Sequence, residues 1–188
     1  MIRIEKLNFT PFPVLKTGRL TLRQLKDADS QDIFFLRSDE RVNKYVVRSK
    51  PRSIDDAREF IYKINDGINR NENIYWAISM KASQELIGTI CLWNFSKDKS
   101  NAEIGFELKP EYQGKGIMNE ALVKVLEFGF KSISLASIDA YTHKNNISSI
   151  KLLKNNNFEE NTELKDDENP NIIVFTITRK QAIKNKEY

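Results

Sequence analysis

The chain has 188 residues, 40% apolar and 30% charged, with a formal net charge of +4. That is the make-up of one folded domain with room for a core; it excludes a disordered chain, and no internal repeat or low-complexity linker interrupts it. Cys91 is the only cysteine and His143 the only histidine, which excludes an internal disulfide, a His/Cys zinc cluster and a Ser-His-Asp triad with a choice of base.

A strand is expected over residues 15–25, where Leu20, Thr21 and Leu22 sit among polar residues and Gly18 suits a turn. Asp27, Ala28 and Asp29 then open a helix through Leu36, with acidic groups at its positive end. Ser53 and Asp56 are spaced as a capping box, and Ala57, Phe60, Ile61, Ile64 and Ile68 follow as one helical stripe. The period then changes. Residues 74–80 and 86–95 are rich in β-branched and aromatic side chains, and the polar link 81–85 makes them a hairpin. Residues 102–108 form a third strand, with Ile104, Phe106 and Leu108 on one face and Glu103, Gly105 and Glu107 on the other. A helix is expected over 116–131, a strand over 135–142, a helix over 146–155 and a last strand over 172–178. The acidic stretch 159–167 reads as an exposed loop and 179–188 as a solvated end. Tyr75, Trp76, Trp93 and Phe95 are expected as core or cleft wall, Cys91 as a buried strand residue and His143 as a surface residue. Strands in runs, segregated helices and one central β-α-β passage indicate a mixed α/β sheet.

The stretch with chemistry in it follows Leu108. Pro110 stops the strand, and Gln113-Gly114-Lys115-Gly116 leads into the helix that Ile117 and Met118 begin. Two glycines let the backbone aim several N–H groups one way and admit a ligand closely. The first N–H groups of a helix lack partners, and its dipole adds about half a positive charge there. Together these suit a pyrophosphate. The spacing is not that of a Walker loop, and Asn119 stands where a dinucleotide fingerprint needs a third glycine.

The stretch resembles the acetyl-CoA loop of the GNAT acetyltransferases, written Gln/Arg-x-x-Gly-x-Gly/Ala. Gly116 matches that pattern; Met118 stands where a small residue is usual. The string from Tyr112 to Leu122 looks like the RimJ/RimL branch, in which a Gly-x-Gly followed by Glu-Ala (Glu120-Ala121) is common. Other segments agree in order: Thr17-Gly18-Arg19-Leu20-Thr21-Leu22-Arg23 resembles the family's opening strand, and Glu85-Leu86-Ile87-Gly88-Thr89-Ile90 a later one. Residues 102–108 resemble the strand before the loop. Residues 146–158 resemble a helix written Asn-x-x-Ser and ending in Gly-Phe, with Asn157 in place of the glycine; Asn tolerates the left-handed conformation wanted there.

The resemblance implies a single domain over residues 1–188 with its core at about 15–180. It also implies a mixed, mostly antiparallel twisted sheet, a central β-α-β acetyl-CoA-binding unit and helices on both faces. Two adjacent parallel strands, 102–108 and 135–142, are expected to splay and admit the pantetheine arm. By the same resemblance, the backbone of Gln113, Gly114, Lys115, Gly116, Ile117 and Met118 holds the pyrophosphate. N–H groups at Phe106 and Leu108 meet the arm and the acetyl carbonyl. Asn146 bonds the arm or caps its helix. Ser149 hydrogen-bonds or protonates the leaving thiolate, since the tyrosine many relatives carry further along this helix is missing. Glu103 or Glu107 accepts the amine proton, or else both are solvent-facing strand carboxylates. Gly105 marks a bulge or close approach, or simply packs against a bulky neighbour.

The expected activity is therefore direct transfer of an acetyl group from acetyl-CoA to a primary amine, without a metal. A peptide or protein N-terminus is the favoured acceptor; a polyamine, amino sugar or drug is the alternative. A regulator that binds acyl-CoA without chemistry is a further reading. The basic balance, with a pI of about 9.0, also admits an RNA- or ribosome-binding module, yet no RNP, KH or helix-turn-helix signature accompanies it, so no specific nucleic acid is expected. Residues 1–7 show no leader, and no apolar run is long enough to span a bilayer. A cytoplasmic monomer or homodimer is expected.

Overall fold

The β-branched and aromatic stretches pair into one eight-stranded sheet in the computed structural model, which describes residues 7–184. The strands are β1 (Leu15–Lys16), β2 (Leu20–Arg23), β3 (Ile74–Met80), β4 (Leu86–Trp93), β5 (Asn101–Leu108), β6 (Ser137–His143), β7 (Glu159–Glu160) and β8 (Ile172–Thr178). Across the sheet they run β1-β2-β3-β4-β5-β6-β8-β7. Every neighbouring pair is antiparallel except β5 and β6, which are parallel. A parallel pair needs a long crossover, and α3 (Ile117–Glu127) supplies it. The other helices are α1 (Ser30–Ser38), α2 (Ile54–Asn69), α4 (Ile147–Asn155) and α5 (Arg179–Lys184).

Strand register sorts the side chains to two faces. Tyr75, Cys91 and Gly105 are cross-strand partners on one; Trp76, Ile90 and Phe106 are partners on the other. Phe60 of α2 meets the Tyr75 ring edge-on, centroids 5.8 Å apart. Phe128, in the π-helical turn Phe128–Ser132 that extends α3, meets the fully buried Trp76 at 5.3 Å. So α2 covers one face and α3 the other, and each buries aromatic surface against the sheet.

Local signals account for several boundaries. The Ser53 hydroxyl accepts from Asp56 N at 3.2 Å, and Asp56 accepts from Ser53 N at 3.2 Å, completing the capping box of α2. Asn157 has φ +64°, and Phe158 N donates to Leu153 O while Asn157 N donates to Lys154 O. That pair of bonds is a Schellman end for α4, with asparagine taking the left-handed place glycine usually fills.

Other expectations need correction. Residues 15–25 are not one strand: Thr17 N donates to Leu20 O, and Leu20 N donates to Thr17 Oγ1, so the chain turns at Gly18 between β1 and β2. The helix expected over 116–131 is α3 plus a π turn. Within the acidic stretch, Glu159 and Glu160 pair with β8. The end expected to be solvated begins as α5, tied down by Arg179 N to Ala136 O and by Thr178 N to Gln181 Oε1. A packed N-terminal segment was not expected: Phe9 is buried beside Phe95, and Trp76 Nε1 donates to Pro13 O. The opening residues 1–6, read as free of a leader, lie outside the described residues, as do 185–188. No helix among the described residues is long and apolar enough to cross a membrane.

Candidate active site

β5 ends at Leu108, and a 3-10 turn (Pro110–Tyr112) carries the chain to the glycine loop. Gly114 and Gly116 both have φ +71°, a region that L side chains enter at a cost. Gln113 braces the turn: its N–H donates to Pro110 O and its side-chain amide to Leu108 O at 2.9 Å. The next satisfied amide is Glu120 N, on Gly116 O. Between them, the N–H groups of residues 114–119 have no acceptor among the described residues. They form an exposed row of donors at the positive end of α3, which fits a pyrophosphate. The backbone N–H of Gln113 is already taken, so it is not part of this row.

Two residues that sequence reading left out of the site hold this loop. Glu120 accepts from Thr17 Oγ1 at 2.5 Å, Arg19 N at 2.8 Å and Arg19 Nε at 2.7 Å, while Arg19 Nη1 donates to Lys115 O. Burial works to raise the Glu120 carboxyl, but these bonds outweigh it and hold the group below the usual range. Both partners were visible as short motifs, Thr-Gly-Arg and Glu-Ala; nothing in the pattern said that they touch.

The second feature is a seam. The β5–β6 ladder pairs only Asn101, Ala102 and Glu103 with Ser137, Ile138 and Asp139. Past them the strands part. Lys109 N donates to Ile87 O on β4. Strand amides alternate sides, so those of Phe106 and Leu108 face away from β4, into the parted region. A cleft of ≈ 820 Å³ runs through it. On the α2 face it is walled by Tyr75, Cys91, Trp93, Glu103 and Glu107 with Tyr45 and Arg48; beyond the gap it reaches Phe106, Asn146, Ser149 and Leu153. Gly105 sits on its floor. A Cβ there would lie 3.1 Å from Cys91 Sγ, and the β4–β5 register is unbroken, so the glycine reflects close packing on Cys91 rather than a bulge.

The two candidate carboxylates differ. Glu107 Oε2 accepts from Arg48 Nη2 at 2.5 Å and Oε1 accepts from Thr89 Oγ1, which shares a hydrogen bond with the Tyr75 hydroxyl. Among the described residues Glu103 has one hydrogen-bond partner, the amide Asn94 Nδ2 at 3.1 Å. Burial raises its carboxyl above the ordinary value; the Asn94 bond opposes this, and Asp139 and Asp166 reinforce it. Burial pushes the Cys91 thiol up to about 12, so it is no nucleophile at neutral pH. Asn146 is the N-cap of α4, its Oδ1 accepting from Ser149 N at 3.2 Å. The Ser149 hydroxyl has no hydrogen-bond partner among the described residues and lines the cleft. His143, expected at the surface, is half-buried in the cleft wall, its ring stacked on Tyr45 at 5.4 Å. Tyr45 and Arg48 come from the irregular stretch between α1 and α2, where no periodicity marks a residue as functional. Among the described residues, no group of three acidic, histidine or cysteine side chains could hold a metal.

The acetyltransferase (GNAT) domain family matches residues 19–159. The chain is 34% identical over 149 residues to "Uncharacterized N-acetyltransferase YoaA" of Bacillus subtilis, covering 79% of this chain and 84% of that protein. It is 26% identical over 148 residues to the spermidine N(1)-acetyltransferase of Vibrio cholerae, covering 78% and 83%. Among solved structures, the fold superposes with TM-score 0.78 on RimL, a ribosomal L7/L12 alpha-N-protein acetyltransferase in complex with coenzyme A, at 15% identity over 88% of this chain and 98% of that one. The spermidine N-acetyltransferase of Vibrio cholerae in complex with CoA and spermine gives 0.75 at 22% identity, over 89% and 99%. Kinship in sequence and likeness in fold agree with the anion loop and the parted strands: the chain belongs to the GNAT family of acetyltransferases.

Proposed function

We propose that this N-acetyltransferase moves the acetyl group of acetyl-CoA directly to the α-amine of a peptide or protein N-terminus, with Glu103 as the proton acceptor. The observation that carries the reading is the position of Glu103: a half-buried carboxylate with no cation bonded to it among the described residues, on the cleft wall where β5 and β6 part. Residues 114–118 hold the pyrophosphate through their unpaired amides. The N–H groups of Phe106 and Leu108 meet the arm and the acetyl oxygen, and Asn146 Nδ2 is left to bond the arm while Oδ1 caps α4. The amine nitrogen attacks the thioester carbon and its proton passes to Glu103. The oxyanion is stabilised by backbone donors, the C–S bond breaks, and the Ser149 hydroxyl hydrogen-bonds the departing sulfur. No acyl-enzyme forms, in keeping with the buried Cys91.

The acceptor follows from the base. An α-amine has a pKa of about 7.7–8.0 against about 10.4 for lysine, and each unit corresponds to about 1.4 kcal/mol of deprotonation. A single carboxylate, even one raised by burial, suits the α-amine better. Resemblance of the 112–122 string to the RimJ/RimL branch supports the same choice. The second reading, a small-molecule amine, is favoured by the similarity to a spermidine acetyltransferase and by Asp166 and Glu168 at the cleft. A thiol-release assay decides between them, using free-N-terminus peptides, the same peptides blocked but containing lysine, and polyamines. Turnover of free N-termini is expected. Transfer to blocked peptides or polyamines, with none to free N-termini, overturns the acceptor.

A further inference from the structure

The cleft contains two guanidinium groups, Arg37 and Arg48, and four carboxylates, Glu103, Glu107, Asp166 and Glu168, of which only Glu107 bonds a guanidinium among the described residues. Arg48 takes that carboxylate, Glu107, and also donates to Asn43 Oδ1 and Leu36 O. Arg37, in the last turn of α1, makes no hydrogen bond or ion pair among the described residues. Its guanidinium lies 3.9 Å from the Phe60 ring centroid and lines the same cleft. Burial and the nearby Arg48 charge both work against its charged form; Tyr75 and Glu107 compensate in part. The helix C-terminus offsets some of the cost, and so does the aromatic face. A half-buried cation without a counter-ion is still an expense to the fold, and one that an anion entering the cleft would relieve. The Phe60 ring lies against the guanidinium, whose planar fork of donors suits a carboxylate.

We propose that Arg37 is a specificity residue that receives a carboxylate of the acceptor, so that the preferred substrate is an amine joined to an acidic group. The inference rests on the N-terminal reading above and sharpens it. Arg37 and Glu107 line the same cleft, and Glu107 lies two residues along β5 from Gly105 and four from Glu103. At about 3.3 Å per strand residue, the base and the stretch of cleft at Glu107 are on the order of 13 Å apart. The α-carboxylate of a free amino acid is too close to its own amine to bridge that span. An Asp or Glu side chain at the second or third residue of a peptide reaches it. A polyamine would present a second cation to Arg37 and Arg48.

The test uses short peptides with Glu, Gln or Lys at the second and third residues, on the full chain and on Arg37→Gln and Arg37→Glu. Circular dichroism and acetyl-CoA affinity serve as checks of folding. The parent is expected to show a KM roughly tenfold or more lower for the Glu peptide than for the Lys peptide, with kcat little changed and the difference shrinking as salt is added. Arg37→Gln is expected to level the series and Arg37→Glu to reverse it. A parent indifferent to these side chains, or an order unchanged in Arg37→Glu, overturns the inference while the N-terminal reading stands. If no peptide is acetylated, that reading falls by itself, and ω-amino carboxylates such as 6-aminohexanoate are compared with spermidine. Turnover of the amino carboxylate that Arg37→Gln abolishes upholds the role of Arg37; turnover of spermidine alone overturns it.

Discussion

Glu103 and Glu107 share one strand face, and a cation separates their chemistry: Arg48 bonds Glu107, whereas among the described residues Glu103 bonds an amide alone. A base must be ionised to work, so with Glu103 raised by burial the rate falls as pH drops through that elevated value. Replacing Glu103 by Gln is expected to lower kcat about 100-fold and to erase this limb of the pH–rate profile, leaving the limb that belongs to the amine; an unaltered profile rejects the base. Ser149→Ala is expected to lower kcat about tenfold, the size of one hydrogen bond made chiefly in the transition state, with acetyl-CoA affinity held within a factor of about two. Equal turnover in the two proteins removes Ser149 from the chemistry. That both carboxylates point the same way was legible from period-two alternation. Which of them is free was not, because Arg48 arrives from an irregular stretch 59 residues away along the chain. Arg37 lay one residue past the helix expected through Leu36, and its lack of a counter-ion among the described residues is a fact about space.

At the scale of elements, the loop before α3 depends on Gly116. A side chain there has room, since a Cβ would meet Arg19 Nη2 at an ordinary 3.7 Å, but φ +71° penalises it. Gly116→Val should therefore do more than crowd the pyrophosphate: it is expected to lose about 1–2 kcal/mol of stability together with acetyl-CoA binding. Gly116→Asn, whose side chain tolerates this conformation, should keep most of the stability. Chemical denaturation and calorimetric titration of the pair separate backbone strain from ligand contact, and a folded Gly116→Val with undiminished affinity refutes the loop's role. Elements whose ends carry their own chemistry were legible: Ser53 with Asp56 starts α2, and Asn157 ends α4. Those decided by distant partners were not. The strand expected over 15–25 breaks where Thr17 folds back on Leu20, and Glu120, over 100 residues on in the chain, fixes that turn in space. Likewise α5 holds because Arg179 finds Ala136.

For the whole molecule, alternation told strands from helices, and resemblance supplied the parallel pairing in the middle of the sheet. The seam between β5 and β6 is held by a ladder of three residue pairs, and a ligand lodged past them adds contacts to both halves at once. Acetyl-CoA at a hundredfold excess over its Kd should stabilise the fold by about 2.7 kcal/mol, a rise in Tm of roughly 5–10 °C for a chain of this size. Thermal melts with and without the ligand measure it, and no shift at saturation contradicts a site in the seam. The cleft passes from one face of the sheet to the other, and this bears on traffic. On the proposed reading the nucleotide end is moored at the head of α3 and the amine arrives under α1 and α2, which gives each reactant its own doorway. Neither must leave for the other to enter, so both can occupy the enzyme together in either order of arrival, and spent coenzyme A can depart past an acetylated product that is still in place.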